Sequence, residues 1–308
     1  MVEPVETGLV RGISWSPSGP ALSLITDDAD AQLPLAAGQW LRFEVLSGDG
    51  IAARYCLGYT SVQGPEESAH VRCPSGQPAE RGFQCGACFA RDDLRHMHDF
   101  HRSGHAPPGM RSYLAQQHWL YIATFADGTT KVGTASNLSK WRRLADQGAL
   151  VARYVALAQD GAIVRLLEDS VTKELGVTQF VRAASKTASL LTPRTTAELE
   201  QRNREVSGVV REFLGQHSLA GFETIDEQWH GSEFARAISD GGPRIAYPRP
   251  LDAGKHGMRL DSMLGANALV SLDDAEAAFV VDLGGLKGRR ITFGAFTTDV
   301  PALQESLF

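Results

Sequence analysis

Nowhere in its 308 residues does the chain stay apolar for the roughly 18–20 residues that a membrane-spanning helix needs. The opening MVEPVETGLV lacks the basic start and apolar stretch of a secretory signal, so the expected location is the cytoplasm. Positive charge is in deficit: 30 Lys and Arg face 36 Asp and Glu, and a net −6 argues against a protein that coats nucleic acid. Internal repeats and low-complexity segments are absent. Cysteine is scarce, with four in all and none outside residues 56–88. The rest is ordinary for a soluble globular protein, with 43% hydrophobic and 21% charged residues. The length suits about two or three modules around separate cores.

The net charge conceals an uneven distribution. Residues 100–194 hold 12 Lys/Arg against 6 Asp/Glu, a balance of +6, while the remainder holds 18 against 30, a balance of −12. The middle of the chain is a basic island between acidic flanks. It reads either as local charge scatter or as a phosphate-facing surface.

The cysteines are Cys56, Cys73, Cys85 and Cys88, the last two as the Cys-x-x-Cys of FQCGACF. That spacing lets two thiolates turn onto one tetrahedral ion, at about 2.3 Å each for zinc. Cys56 and Cys73 could supply the opposite pair, giving a structural site closed by four thiolates. A reducing cytoplasm disfavours disulfides, and redox chemistry would prefer a Cys-x-x-Cys at the end of a βαβ strand, a pattern missing here. The alternative is a set of buried thiols. Directly afterwards RDDLRHMHDFHRSGH carries His96, His98, His101 and His105. One of these could replace a cysteine as ligand, they could form a second site, or the run is a polar helix and loop.

Residues 1–55 read as β, with GLVRGISW, ALSLI and WLRFEV separated by turn-forming clusters. Residues 56–106 look irregular and organised by metal, and APPGM (106–110) looks like a boundary. HWLYIATF and TTKVGTA suggest paired strands around Ala-Asp-Gly-Thr. NLSKWRRLADQG then predicts a helix ending at Gly148. ALVARYVALA is a strand or a buried run, and AIVRLLEDSVTKELG a helix stopped by Gly176. Thr195 and Glu198 stand at capping-box spacing ahead of a helix whose Leu199, Val206, Val210 and Phe213 share one face. From about Glu223 the chain returns to β, and AAFVVDLGGLKGRRITFG predicts a hairpin around Gly284–Gly288.

LYIA, a ten-residue step to KVG, and a following helix with an arginine together resemble the core of the GIY-YIG nuclease superfamily. The longer series QCGACF, HWLYIA, KVGTA, RLADQGA, LLED and GGLKGRRITFG resembles an uncharacterised bacterial family. In it a cysteine-rich segment precedes a GIY-YIG-like core. The resemblance implies an α+β fold: a β-rich N-terminal part (1–55), a zinc module (56–106), a GIY-YIG-like α/β core (107–193), and a helix plus β-rich C-terminal part (194–308). It places Tyr121 in the first half-motif and Gly133 in the second. Arg143 is the helix arginine, with Arg142 as the competing alignment, and Glu168 is the metal-binding glutamate. Two positions depart from the pattern. Lys131 stands where a tyrosine is expected, and Gln147 where these nucleases often carry a histidine, a loss for which His118 could compensate.

Phosphodiester hydrolysis needs an in-line water and a cation that takes up charge on the phosphoryl oxygens. In that scheme Glu168 would hold Mg²⁺ or Mn²⁺, Arg143 would pair with a phosphate, and Tyr121 would orient or deprotonate the water, with Lys131 assisting. Lys140, Arg142 and Arg153 in the basic island are candidate nucleic-acid contacts. Three functions fit: a metal-dependent endonuclease or phosphodiesterase with structural zinc, a non-catalytic zinc-stabilised nucleic-acid-binding protein, and an enzyme that reuses the pocket for a small molecule.

Overall fold

The computed structural model describes residues 6–46, 54–97, 100–273 and 275–299. Strand β1 (Thr7–Ser16) turns tightly into β2 (Gly19–Ile25), followed by β3 (Asp30–Pro34) and β4 (Trp40–Val45). In β4 the period of two is plain, with buried Leu41, Phe43 and Val45 alternating with Arg42 and Glu44. Next come β5 (Tyr59–Val62), β6 (Ser68–Val71) and three short helices, α1 (Gly86–Arg91), α2 (Phe100–Ser103) and α3 (Pro108–Leu114). Residues 56–106 are thus less irregular than expected, and APPGM is the start of α3. Proline suits the first turn of a helix because its missing N–H would have no partner there.

The expected hairpin forms from β7 (His118–Thr124) and β8 (Thr130–Ser136), with Tyr121 opposite Gly133. Asp127 closes the turn, accepting from the Thr129 amide at 2.8 Å and hydroxyl at 2.7 Å. Helix α4 (Lys140–Gln147) ends at Gly148, and α5 (Gly161–Leu175) ends at Gly176. Both glycines have φ of +69°, the left-handed cap that lets a chain leave a helix. Between them ALVARYVALA forms a strand, β9 (Val151–Ala158). After α6 (Ala183–Ser189), α7 (Thr196–Gly215) begins with the complete capping box of Thr195 and Glu198.

The buried face of α7 differs from the apolar one read in the sequence. Leu199, Asn203, Ser207, Val210 and Leu214 are buried, whereas Val206 and Phe213 are only partly covered. Asn203 repays its burial by donating to the Ile122 carbonyl at 3.0 Å and to Thr124 Oγ1 at 2.9 Å, which pins α7 to β7.

The chain ends with β10 (Phe222–Trp229), α8 (Arg236–Ser239), β11 (Arg244–Ala246), β12 (Gly254–Leu264), β13 (Asn267–Ser271), β14 (Ala278–Asp282) and β15 (Arg290–Phe293). Four strands make the central sheet, in the order β10-β9-β7-β8, and nine make the large sheet, β11-β14-β13-β12-β4-β15-β1-β2-β3. The β-rich ends of the chain therefore share one sheet. Helix α7 and β10 pack with the central sheet, so residues beyond 193 divide between the two layers.

The hairpin expected around Gly284–Gly288 does not form, because β13, β12 and β4 lie between β14 and β15. The connecting LGGL winds as a 3₁₀ turn whose Leu283 and Leu286 are fully buried. These two leucines act as core residues, so the segment crosses the layer instead of reversing.

Two faces of β7 anchor the molecule. Leu120 and Ile122 pack with Val164, Leu167 and Val171 of α5 and with Val210 of α7. Tyr121 and Ala123 join Leu144 of α4 in the core that continues into Trp15, Leu41 and Phe43 of the large sheet. Strand β8 is left at the edge of the central sheet, between α4 and α5, and the basic cleft opens there.

Candidate metal centre and basic cleft

The sulfur atoms of Cys56, Cys73, Cys85 and Cys88 all lie within 4.8 Å of one another. A tetrahedral Zn–S₄ site with bonds of about 2.3 Å puts its sulfurs about 3.8 Å apart; Cys73 and Cys85 are 4.0 Å apart. The donor set and its size fit a structural metal such as zinc. The long interval from Cys56 to Cys73 is bridged by the β5–β6 hairpin, which returns the chain to its starting point.

Local backbone shapes both halves of the site. After Cys56, Gly58 takes φ +86° with its amide on Cys56 Sγ at 3.4 Å. A Cβ on Gly58 would fall 2.0 Å from the Val71 carbonyl oxygen, so only glycine lets the two arms meet. Cys85 caps α1, and Cys88 lies in its first turn. Burial pushes the Cys56 and Cys88 thiols up, while Cys73, despite its own burial, is drawn to about 6 by hydrogen bonds from Ser75 and Gln77.

The histidines stay apart. His96 is held by Arg95 and His101 by Asp169, at 2.9 and 3.2 Å. Neither belongs to a group of metal donors among the described residues. His98 lies outside the described residues.

The residues of the GIY-YIG-like reading converge from four elements: Tyr121 on β7, Lys131 on β8, Arg143 on α4 and Glu168 on α5. Arg143 and Glu168 both act electrostatically on Tyr121 and on Lys131. Tyr121 is nevertheless fully buried. Its ring lies over Gly133, where a Cβ would sit 2.5 Å from the phenol oxygen, and that oxygen accepts from Gln147 Nε2 at 2.7 Å. Burial pushes the phenol up, against the pull of Arg143. Glu168 is buried as well, with its carboxylate on Arg165 at 2.5 Å.

His118 does not stand in for the histidine missing at Gln147. Residues 118 and 121 project to opposite faces of β7, and His118 donates from Nδ1 to the Gln116 carbonyl at 2.9 Å. Burial lowers its pKa, so it is a neutral wall of the cleft.

Of the three expected nucleic-acid contacts, Arg142 lines the cleft. Lys140 binds Glu227 at 2.7 Å and lies 3.3 Å from the centre of the Trp119 ring, and Arg153 binds Asp226 at 2.8 Å. The two cations tie α4 and β9 to the acidic side chains of β10, and neither lines the cleft.

The cleft has a volume of about 540 Å³ between the β5–β6 hairpin, the β8 edge, α4 and the start of α5. Arg11, Arg142, Arg143 and Arg165 line it with His70 and His118, and Asp146 is its one acidic residue among those described. Ser136, Ser139 and Thr134 add hydroxyl donors. Beside Arg143, Lys186 of α6 donates to the Gln147 carbonyl at 2.7 Å. Arg165 was readable as the i−3 neighbour of Glu168. Arg11 and Lys186 had no local signal, because tertiary packing alone brings them near.

Burial and the repulsion of Arg143 lower both Lys131 and Lys186 to about 8, and Lys186 also repels Lys131. An unfolded lysine titrates near 10.4, so between about pH 8 and 10 the unfolded chain binds more protons, and stability rises with pH. Thermal melts should show the midpoint climbing across that interval, and climbing less in Lys131→Met. An identical pH profile in the variant would show that Lys131 carries no such penalty.

Comparison of the chain with protein-family models, with curated proteins and with solved structures gave no match.

Proposed function

We propose that the protein binds the sugar-phosphate backbone of nucleic acid in the arginine-lined cleft, on a GIY-YIG-like core stabilised by a zinc ion at the four cysteines. The observation that carries this reading is the lining itself, in which four arginines stand against one aspartate. Arginine presents a planar fork that matches phosphate oxygens, and the hydroxyls beside it can complete the contact. Lys131 adds charge below, since it has no hydrogen bond or ion pair among the described residues.

Hydrolysis is a second reading, favoured by the convergence of Tyr121, Lys131, Arg143 and Glu168. It requires a divalent ion, and the donors around Glu168 do not fit one in this arrangement. Glu168 is already paired with Arg165, and the cysteines are the only group of three or more such donors among the described residues. Tyr121 has no exposed surface to present to a water. Binding therefore accounts for more of the geometry than cutting does.

The test measures binding of labelled DNA and RNA against salt, together with cleavage in Mg²⁺ or Mn²⁺. Arg142→Ala/Arg143→Ala is expected to weaken binding at least tenfold and to flatten the log–log salt slope by about 1.4 to 1.8, two lost phosphate contacts. Unchanged affinity would reject the cleft. Cleavage that disappears in Glu168→Ala while binding persists would establish the hydrolytic reading instead. A protein that binds no nucleic acid would point to a small-molecule substrate.

A further inference from the structure

A second groove, of about 520 Å³, lies on the other side of the β5–β6 hairpin and shares Arg11, Thr60 and His70 with the arginine cleft. The two grooves adjoin at these three residues, one running toward α4 and α5 and the other toward the metal module. In the second groove cations lie over aromatic rings, with Phe83 beneath both Lys287 and Arg54. Lys287 Nζ stands 4.6 Å from the centre of Phe83, and the Arg81 guanidinium 5.2 Å from the centre of Phe89. Neither Arg81 nor Lys287 has a carboxylate partner among the described residues.

The acidic residue on this lining is Asp92, and its charge is already engaged. Its carboxylate accepts from the amides of Thr60 and Leu94, both at 3.2 Å, and from Gln84 Nε2 at 2.8 Å. At the junction Arg11 shares Asp30 with Arg72; in the arginine cleft Arg165 pairs with Glu168 and Arg142 with Asp146, beside Arg143. Cationic side chains outnumber carboxylates in the lining of each groove. Cations beside half-buried aromatic rings form an arrangement that holds unpaired bases by stacking and their phosphates by charge. A duplex hides its base faces and has no use for the rings.

We propose that a single-stranded nucleic-acid segment leaves the arginine cleft past Arg11 and His70 and lies in the second groove, its bases against Phe83 and Phe89 and its phosphates on Arg81 and Lys287. The proposal rests on the backbone-binding reading of the cleft and adds strand state and path to it. It also gives the metal centre a purpose beyond stability. Phe83 and Phe89 flank Cys85 and Cys88 in sequence, so the cysteine cluster holds the stacking rings in place.

Fluorescence anisotropy on the full chain tests it, with labelled single strands of about 6 and about 20 nucleotides and a duplex of the longer length. Wild type is compared with Arg81→Ala/Lys287→Ala, with Phe83→Leu, which keeps apolar bulk, and with Arg142→Ala/Arg143→Ala. Zinc content and melting temperature report whether each variant is folded.

The expected result is a loss of about tenfold or more for the long strand in Arg81→Ala/Lys287→Ala, with a salt slope lower by about 1.4 and the short strand held within about twofold. Phe83→Leu should weaken the long single strand and leave the duplex unchanged. Unchanged long-strand affinity in both groove variants, with affinity lost in Arg142→Ala/Arg143→Ala, would overturn the path and leave the cleft standing. Equal affinity for duplex and single strand in wild type would overturn the strand assignment. Absence of binding to any of the three would overturn path and cleft together.

Discussion

Cys88→Ser is expected to purify without metal, whereas the wild-type chain should hold about one zinc through gel filtration. The module has little else to hold it. Its buried clusters are small: Cys56, Cys85 and Cys88 with Tyr59 and Cys73 packed against them, and Val62 with Met110 and Leu114 of α3. A segment with so small an apolar core depends on its metal for folding, and apparent zinc-binding free energies in small modules run to about 10–16 kcal/mol. No described histidine joins the cysteines in a group of metal donors, and His96 and His101 are engaged elsewhere.

The damage should spread beyond the module. The Tyr55 amide donates to the Gly288 carbonyl at 2.7 Å, and Gly288 precedes β15 at the centre of the large sheet. Soluble yield should fall severalfold and residues 54–97 should become sensitive to protease, with a smaller change in helix content, because α5 and α7 lie in the other layer. Elemental analysis decides the matter. Stoichiometric zinc in Cys88→Ser, or none in wild type, would rule out a site closed by four thiolates.

Gly133→Ala should destabilise the core strongly. Its Cβ would lie 2.5 Å from Tyr121 Oη, 2.6 Å from Cζ and 2.8 Å from Cε2, all closer than non-bonded carbon tolerates. The ring has nowhere to retreat, being fully buried and joined to the core that contains Leu144 and Tyr154. Overpacking of this kind costs about 1–3 kcal/mol, and the upper part of that range applies where a rigid ring must move. Tyr121→Phe should cost only about 1 kcal/mol, since it gives up the hydrogen bond from Gln147 and keeps the packing. Chemical denaturation of both variants provides the comparison. A Gly133→Ala protein as stable as wild type would mean that the phenol does not lie over this strand. Tyr121→Phe also bears on function, for a buried structural tyrosine leaves nucleic-acid binding unchanged on losing its hydroxyl.

Much of the local structure was legible because it depends on neighbours in sequence. The Asp-Gly turn between β7 and β8, the left-handed glycine caps of α4 and α5, and the capping box of α7 each involve only a few successive residues. The Cys-x-x-Cys pair belongs with them, since one turn of backbone brings both sulfurs to the same side. The apolar face of α7 was only half legible, because Asn203 and Ser207 are buried against a strand some eighty residues away in the chain. The two strands read as a C-terminal hairpin failed for a related reason. A glycine-rich link between two β-runs is equally compatible with a turn and with a crossover, and burial of Leu283 and Leu286 selects the crossover.

By itself, the sequence determined the residue types available for chemistry, the spacing of the cysteines, the basic island and the order of strands and helices in the core. The tertiary structure alone decided what those groups can reach. Folding closed Tyr121 beneath Gly133 and Gln147, paired Glu168 with Arg165, and committed Lys140 and Arg153 to the acidic side chains of β10. It also placed Arg11, near the start of the chain, where the groove of Arg143 meets that of Lys287. Periodicity and caps act over a turn or two of chain. Solvent access and charge pairing depend on which distant surface comes to lie against a residue, and that is settled only when the sheets and helices pack.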